Sequence, residues 1–299
     1  MDKLHFIVNP IAGGKNAIDK FSAAKAILDK RGISYTYELT RCKGNATELA
    51  RAATERGEKY IVAVGGDGTV NEVAAGLLGT DAIMGILPFG TGNDLVKVLN
   101  IPTEPEGALD VILADKPRKM DAGYVNDRFF INVAGFGFDV DVLLRHEKHR
   151  KNLKGMLPYL LGVAGAFVHL RTLHLTIRDG EREWKKNAIM VSVGNGAYFG
   201  GGMKATPFAD PFDGLLEVCI VSEISRRRFL RLLPGFIKGR HTGLAEVEYF
   251  RTRELFVDCP EECLLNYDGE LGSGMPARFR LLPGAINMLT GTGGEVSPR

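Results

Sequence analysis

The sequence predicts an N-terminal doubly wound α/β domain over residues 1–122, followed by a mostly antiparallel β-sandwich domain over residues 123–299. Three observations carry this. Strand-like and helix-like patterns alternate up to Ala122, as a parallel sheet with crossover helices requires. Three of those strands run into glycine-bearing loops, at residues 9–15, 65–69 and 90–94. Beyond the boundary the pattern changes to short strands separated by turn residues, the signature of a sandwich or partly closed barrel.

Taken in order, Leu4 to Val8 reads as a strand and Asn9-Pro10-Ile11-Ala12-Gly13-Gly14-Lys15 as a loop. Residues 16–30 have helical spacing through Ile18, Phe21, Ala24 and Leu28, and Ile33 to Leu39 is a second strand. Asn45 with Glu48 resembles a capping box opening a helix that Gly57 ends. The apolar run Tyr60 to Val64 then meets Gly65-Gly66-Asp67-Gly68, after which Val70, Val73, Ala74 and Leu77 lie on one helical face. Ala82 to Leu87 leads into Pro88-Phe89-Gly90-Thr91-Gly92-Asn93-Asp94 and a further helical segment. In the second half, Phe129–Val133 and Ala188–Val193 read as strands, and residues 173–185 as a hairpin turning at Asp179-Gly180. Short strands follow at 215–221, 246–250, 253–258, 262–267, 277–282 and 285–290, with helical insertions near 141–170 and 225–239. Residues 292–299 read as a loose tail.

Bulk properties exclude several classes. A net charge of +2 lacks the basic bias of a nucleic-acid binder, and no nucleic-acid partner is expected. Hydrophobic content of 45% and charged content of 25% suit a globular protein. Cys42, Cys219, Cys259 and Cys263 are scattered without a Cys-x-x-Cys, which points to a reduced, cytoplasmic setting. The N-terminus enters a strand directly, and the longest apolar run, Met156 to Leu170, is shorter than the ~20 residues a bilayer crossing needs.

The glycine loops carry the chemistry. Amides at the start of a helix point outward and favour anions, phosphate above all. Glycines let the backbone approach a ligand closely, and Asp67 adds a hard oxygen for a metal ion. In parallel sheets ligands bind beyond the carboxyl ends of the strands, so the three loops are expected to share one crevice. Neither a Walker A loop nor a Gly-x-Gly-x-x-Gly fingerprint is present: Gly14-Lys15 is followed by Asn16. Asn9, Gly13, Gly14 and Lys15 offer donors and a cation to phosphate, while Thr91, Asn93 and Asp94 offer further oxygens. Acids in the second half, Asp210, Asp213, Asp268 and Glu270, read alone as solvated turn residues.

Together these motifs carry a resemblance. Asn9-Pro10…Gly13-Gly14-Lys15, Gly65-Gly66-Asp67-Gly68-Thr69-x-Asn71-Glu72, Gly90-Thr91-Gly92-Asn93-Asp94 and Asp268-Gly269-Glu270 resemble the diacylglycerol kinase catalytic-domain family, whose first domain is NAD kinase- and phosphofructokinase-like. The order agrees over nearly the whole chain, closest to the soluble bacterial lipid kinases of that family. The resemblance implies an ATP- and Mg²⁺-dependent lipid kinase with its active site in the cleft between the two domains. It implies nucleotide contacts from Asn9, Pro10, Lys15, Thr40, Gly65, Gly66, Asp67, Gly68, Thr69, Asn71, Glu72, Gly90, Thr91, Gly92 and Asn93. Asp67, with Asp94 nearby, would belong to the network around the ATP-bound Mg²⁺, and Asp268 or Glu270 would supply the general base. A second metal loop would take Asp210, Asp213 and the Leu215 carbonyl.

The implied acceptor is the hydroxyl of diacylglycerol or a related glycerolipid at a membrane surface. That makes the protein cytoplasmic and peripheral at the inner face of the membrane, and leaves a homodimer open. Residues 225–238 mix cations and apolar side chains as interfacial helices do, or cap the second domain with a solvated basic face. Residues 153–170 suit either an acyl-chain pocket or ordinary core. His146-Glu147-Lys148-His149 is one residue short of His-Glu-x-x-His and reads as a solvated charge cluster. Cys259 and Cys263 have unconvincing spacing for zinc. The competing functions are an NAD kinase-like phosphotransferase and a catalytically silent nucleotide- or lipid-binding regulator.

Overall fold

The computed structural model describes residues 3–15, 17–150 and 157–291, without the side chains of Lys15, residues 146–150 and residues 157–160. The tail at 292–299, the Lys15 cation and the histidines of the 146–149 cluster thus fall outside what is described. The chain divides into two compact units, Met1–Ala122 with Asp210–Gly214 and Leu282–Arg299, and Gly123–Ala209 with Leu215–Leu281.

In the first unit, strand β1 (Leu4–Val8) is followed by the short turn α1 (Ala12–Lys15), then by α2 (Ala17–Lys30), β2 (Tyr35–Leu39), α3 (Asn45–Glu55), β3 (Tyr60–Gly65) and α4 (Asp67–Leu77). The sequence continues with β4 (Ile83–Pro88), α5 (Asp94–Val98), α6 (Pro105–Leu113) and β5 (Pro117–Val125), which crosses the boundary. Strands β1, β3 and β4 are fully buried, which explains their continuous apolar runs. β1 pairs in parallel with β2 and β3, and β3 with β4, so β1, β3 and β4 lie side by side with their carboxyl ends together. Gly57, at φ 81°, ends α3 as expected, and Glu58 N–H closes the terminus on Ala53 O at 3.0 Å.

The second unit is mostly antiparallel. Its elements are β6 (Arg128–Phe130), β7 (Val133–Gly137), α7 (Phe138–Arg150), α8 (Leu157–Val168), β8 (Leu173–Asp179), β9 (Arg182–Gly194), β10 (Leu216–Ser222) and α9 (Arg226–Ile237). β11 (Val247–Thr252), β12 (Glu254–Asp258), β13 (Leu264–Tyr267), β14 (Glu270–Ser273) and β15 (Ala277–Leu289) complete it, β15 running on into the first unit to pair in parallel with β4. The β8–β9 hairpin turns at Gly180-Glu181, one residue later than expected, because Asp179 pairs with Arg182 and Gly180 takes φ 59°. Two pairs of expected strands are each one strand. β9 joins the hairpin arm to the 188–193 run, pairing first with β8 and then with both β7 and β10. β15 runs unbroken through Pro283-Gly284, where Gly284 takes φ 56°. Phe130, Phe136, Leu255, Val257 and Phe279 are fully buried at the centre of this unit.

Candidate active site

The three glycine loops of the first unit meet. Asn9, just past β1, donates its N–H to Val64 O at 2.9 Å, and its side-chain amide donates to Thr69 Oγ1 at 3.0 Å. Phe89 N–H reaches Gly65 O at 2.8 Å. A Cβ on Gly90 would lie 2.3 Å from Gly66 Cα, and one on Gly13 would lie 2.2 Å from the Phe89 carbonyl oxygen. The glycines are therefore required by backbone approach, beyond any need of a turn. Helix α4 starts at Gly66 without a side-chain cap, and its first internal bond runs from Val70 N–H to Gly66 O at 3.0 Å. The amides of Asp67, Gly68 and Thr69 precede that ladder, at a helix N-terminus that suits an anion.

Two carboxylates stand beside these amides. Asp67 Oδ1 accepts the Asp94 N–H at 2.7 Å, and Asp94 Oδ1 takes Lys97 Nζ at 2.8 Å. Burial first, and the Asp94 charge second, push the Asp67 carboxyl above its ordinary range, against the backbone N–H groups of residues 93–95. Asn93, at φ 49°, donates to Pro88 O and Gly90 O at 3.3 and 3.1 Å, while its buried Oδ1 has no hydrogen-bond partner among the described residues. Paired acids of one sign with an unsatisfied amide oxygen nearby form a set of hard oxygens that fits a divalent cation. Among the described residues no group of three or more His, Cys, Asp and Glu could hold a metal ion by itself. Mg²⁺ in phosphate sites commonly uses one or two carboxylates and completes its shell with phosphate and water.

The remaining expected residues of this unit divide by role. Thr40 N–H bonds Val8 O at 2.9 Å, which sets Thr40 at the end of β2 next to the Asn9 loop. Thr91 is exposed, and Pro10, Asn71 and Gly92 are half-buried. Glu72 has partners within the fold: its two carboxylate oxygens accept Gly44 N–H at 2.8 Å and Ala46 N–H at 3.2 Å, at the start of α3. The expected Asn45 cap is not made, because Asn45 Oδ1 accepts Arg41 N–H and Asn45 Nδ2 meets the Glu48 side chain. Asp210 and Asp213 share a tight loop in which Asp213 N–H bonds Asp210 O at 3.3 Å, and Leu215 opens the next stretch of the second unit. Asp121, not singled out by its sequence, fixes that loop: its carboxylate accepts Gly214 N–H at 2.8 Å and Gly284 N–H at 2.7 Å. The only sequence signal was an acid lodged between buried Met120 and Ala122.

In the second unit, Asp268 (φ 52°) and Gly269 (φ 87°) form the turn between β13 and β14. The Asp268 carboxylate accepts backbone N–H groups from Ile131, Asn132 and Val133 at 2.7, 3.1 and 2.9 Å. Asn195 donates to Ile131 O at 2.8 Å and Asn132 to Tyr198 O at 2.6 Å, holding the cradle itself. Both asparagines escaped the sequence reading. Glu270, half-buried, begins β14 opposite Tyr267. A separate, partly open apolar pocket has walls from α7, α8, α9, β9 and β10, including Val163, Met190, Val221, Phe229 and Phe236.

Glycine loops at a helix N-terminus beside paired carboxylates have the chemistry that suits a phosphate ligand. The chain matches the family model of the diacylglycerol kinase catalytic domain over residues 3–125 and that of the YegS C-terminal NAD kinase beta sandwich-like domain over residues 132–290. It is 31% identical to a diacylglycerol kinase of Mycobacterium tuberculosis over 96% of this chain and 94% of that one. It is 33% identical to a Chromohalobacter salexigens protein named "Probable lipid kinase YegS-like", over 92% of this chain and 90% of that one. A crystal structure of a diacylglycerol kinase from Bacillus anthracis shares the fold, with a TM-score of 0.73 over 97% of each chain at 21% identity. The chain belongs to the diacylglycerol kinase catalytic-domain family, and it is a kinase.

Proposed function

We propose that the protein transfers the γ-phosphoryl group of ATP to the hydroxyl of a diacylglycerol or related glycerolipid. The observation that carries this is the contact of three glycine loops beside Asp67 and Asp94, in a chain of this family. In this reading the amides of residues 66–69 hold phosphate, and Asn9 and Thr69, already bonded to each other, shape the nucleotide loop. Asp67 and Asp94 would hold Mg²⁺, which supplies charge neutralisation to the phosphates. Asp268 or Glu270 accepts the hydroxyl proton as the lipid oxygen bonds to the γ-phosphorus and ADP leaves. Asp210, Asp213 and the Leu215 carbonyl form a second, structural metal loop. The apolar pocket of the second unit supports an acyl-bearing acceptor. Catalysis at a membrane surface suits a chain in which no described helix is long and apolar enough to cross one.

Labelled ATP incubated with a total lipid extract and, separately, with NAD tests the reading. Label is expected in a phospholipid product, lost on chelation and restored by Mg²⁺. Asp268→Ala should lower transfer about 10²–10⁴-fold with ATP binding retained. Label in NAD alone, or no turnover with any lipid, would overturn the proposal.

A further inference from the structure

Asp139 borders the apolar pocket of the second unit and belongs to none of the glycine-loop or acidic-turn motifs. Strand β7 ends at Gly137 (φ 103°), where a Cβ would stand 2.5 Å from the Ile189 carbonyl oxygen, and the chain passes directly into α7. That junction lodges Asp139 in the first helical turn at 6% exposure. Its Oδ2 accepts Asn266 Nδ2 at 3.1 Å. Asn266 sits on β13 at 5% exposure, opposite Gly135, and its Oδ1 accepts the Gly269 N–H at 2.9 Å. A buried acid, a buried amide and the backbone of the Asp268–Glu270 turn are thus joined in series.

We infer that Asp139 and Asn266 are a positioning pair for the turn that carries Asp268 and Glu270. An amide donates at one end and accepts at the other, whereas an ionised carboxylate only accepts. Asp139 therefore dictates which end of Asn266 faces Gly269: the oxygen, the end that its N–H requires. Asp268 and Gly269, at φ 52° and 87°, form a two-residue Asp-Gly hairpin turn whose left-handed backbone these residues tolerate, so the pair fixes where the turn sits rather than whether it forms. The three amides on the Asp268 carboxylate anchor the side chain, and Asn266 anchors the backbone one residue on. Burial pushes the Asp139 carboxyl up to about 6, so at neutral pH it is the acceptor that the arrangement demands. Neither residue is assigned to the reacting atoms. The kinetic part of the inference rests on the reading that this turn supplies the base.

Exchange of the two side chains is the test. Asn266→Asp alone sets two carboxylates face to face, whereas Asp139→Asn combined with Asn266→Asp restores one donor against one carboxylate and leaves an acceptor for Gly269. Four quantities are read: kcat and KM for ATP with labelled ATP and a total lipid extract, hydrogen exchange at the Gly269 amide, and the melting temperature. Asn266→Asp is expected to lower kcat roughly 10²-fold at unchanged KM, as a misplacement of about 1 Å can, and to accelerate exchange at Gly269. The double exchange should recover both. Unaltered Gly269 exchange in Asn266→Asp, no recovery in the double variant, or a kcat loss no larger than the loss of folded protein would each overturn the inference. Should Asn266→Asp not fold, recovery of folding and of Gly269 protection in the double variant supports the pair, and failure there overturns it. Full turnover in Asp268→Ala and Glu270→Ala would remove the base reading, while the Gly269 exchange would still decide the positioning.

Discussion

A single methyl group on Gly90 would collide with the backbone of a loop 24 positions earlier in the chain, since its Cβ falls 2.3 Å from Gly66 Cα and 2.7 Å from Asn93 Oδ1. Asn93 Oδ1 ends a side chain that can shift, but Gly66 Cα is backbone, so one loop must move. Gly90→Ala is therefore expected to cost about 1–3 kcal/mol, as overpacking does, and to weaken ATP binding further by parting the loops. Thermal melts with and without ATP would show it: the melting temperature falls and the ATP-dependent increment shrinks. An unchanged increment would mean that the loop contact is irrelevant to the nucleotide. At this scale much was legible in the sequence, because glycine in a strand-to-helix turn states a backbone need locally. Asp121, Asn132 and Asn195 were not legible. Each satisfies a backbone group more than 60 positions distant, and nothing adjacent in the chain reports that.

Among the elements, α3 shows how a local rule loses to a distant partner. The Asn45/Glu48 pattern predicted a capping box, yet the free amides at Gly44 and Ala46 are taken by Glu72, from the helix that follows the Asp67 loop. Thr47 Oγ1 returns a bond to the Glu72 carbonyl at 2.8 Å, and a Cβ on Gly76 would meet Thr47 O at 2.7 Å, so α3 and α4 are fitted closely. This ties α4 to its neighbour and gives the acid at position 72 a structural partner. Glu72→Ala should lower stability by about 1–2 kcal/mol, the ordinary loss of a cap, and leave KM for ATP unchanged. Urea melts and ATP saturation curves separate the two roles. A raised KM at unchanged stability would return Glu72 to the nucleotide site. The long strands β9 and β15 were divided in the sequence reading for a related reason. Turn-forming residues such as Pro283-Gly284 mark a break locally, but pairing on either side carries the strand through.

At the level of the whole molecule, the class of fold was written in the change of pattern near Ala122, while the returns of the chain into the first unit at 210–214 and 282–289 were not. What remains is how a protein with a net charge of only +2 would engage an anionic membrane. Helix α9 offers a local answer in the second unit. Its inner face, with Phe229, Leu233 and Phe236, lines the apolar pocket. Its outer face exposes Leu230 (53%) beside Arg227 and Arg231, while Ile237 (42%) also borders the pocket and the exposed Lys238 follows the last turn. Arg226 and Arg228, the cations that the sequence would also nominate, are engaged by Val168 O and Glu246. Substituting those two would confound structure with binding. The informative variant is Arg227→Glu/Arg231→Glu/Lys238→Glu. Each cation near an anionic surface contributes about 1 kcal/mol, so the triple reversal should release the protein from phosphatidylglycerol-rich vesicles in a sedimentation assay. Binding by the unaltered protein should weaken with salt, because the Debye length shrinks from ~10 Å at 0.1 M to ~3 Å at 1 M. Leu230→Asp should weaken binding at all salt concentrations. Phosphorylation of a monomeric, short-chain acceptor should be spared in both variants. Vesicle binding that survives the charge reversal would leave α9 a cap over its pocket and require the membrane contact elsewhere.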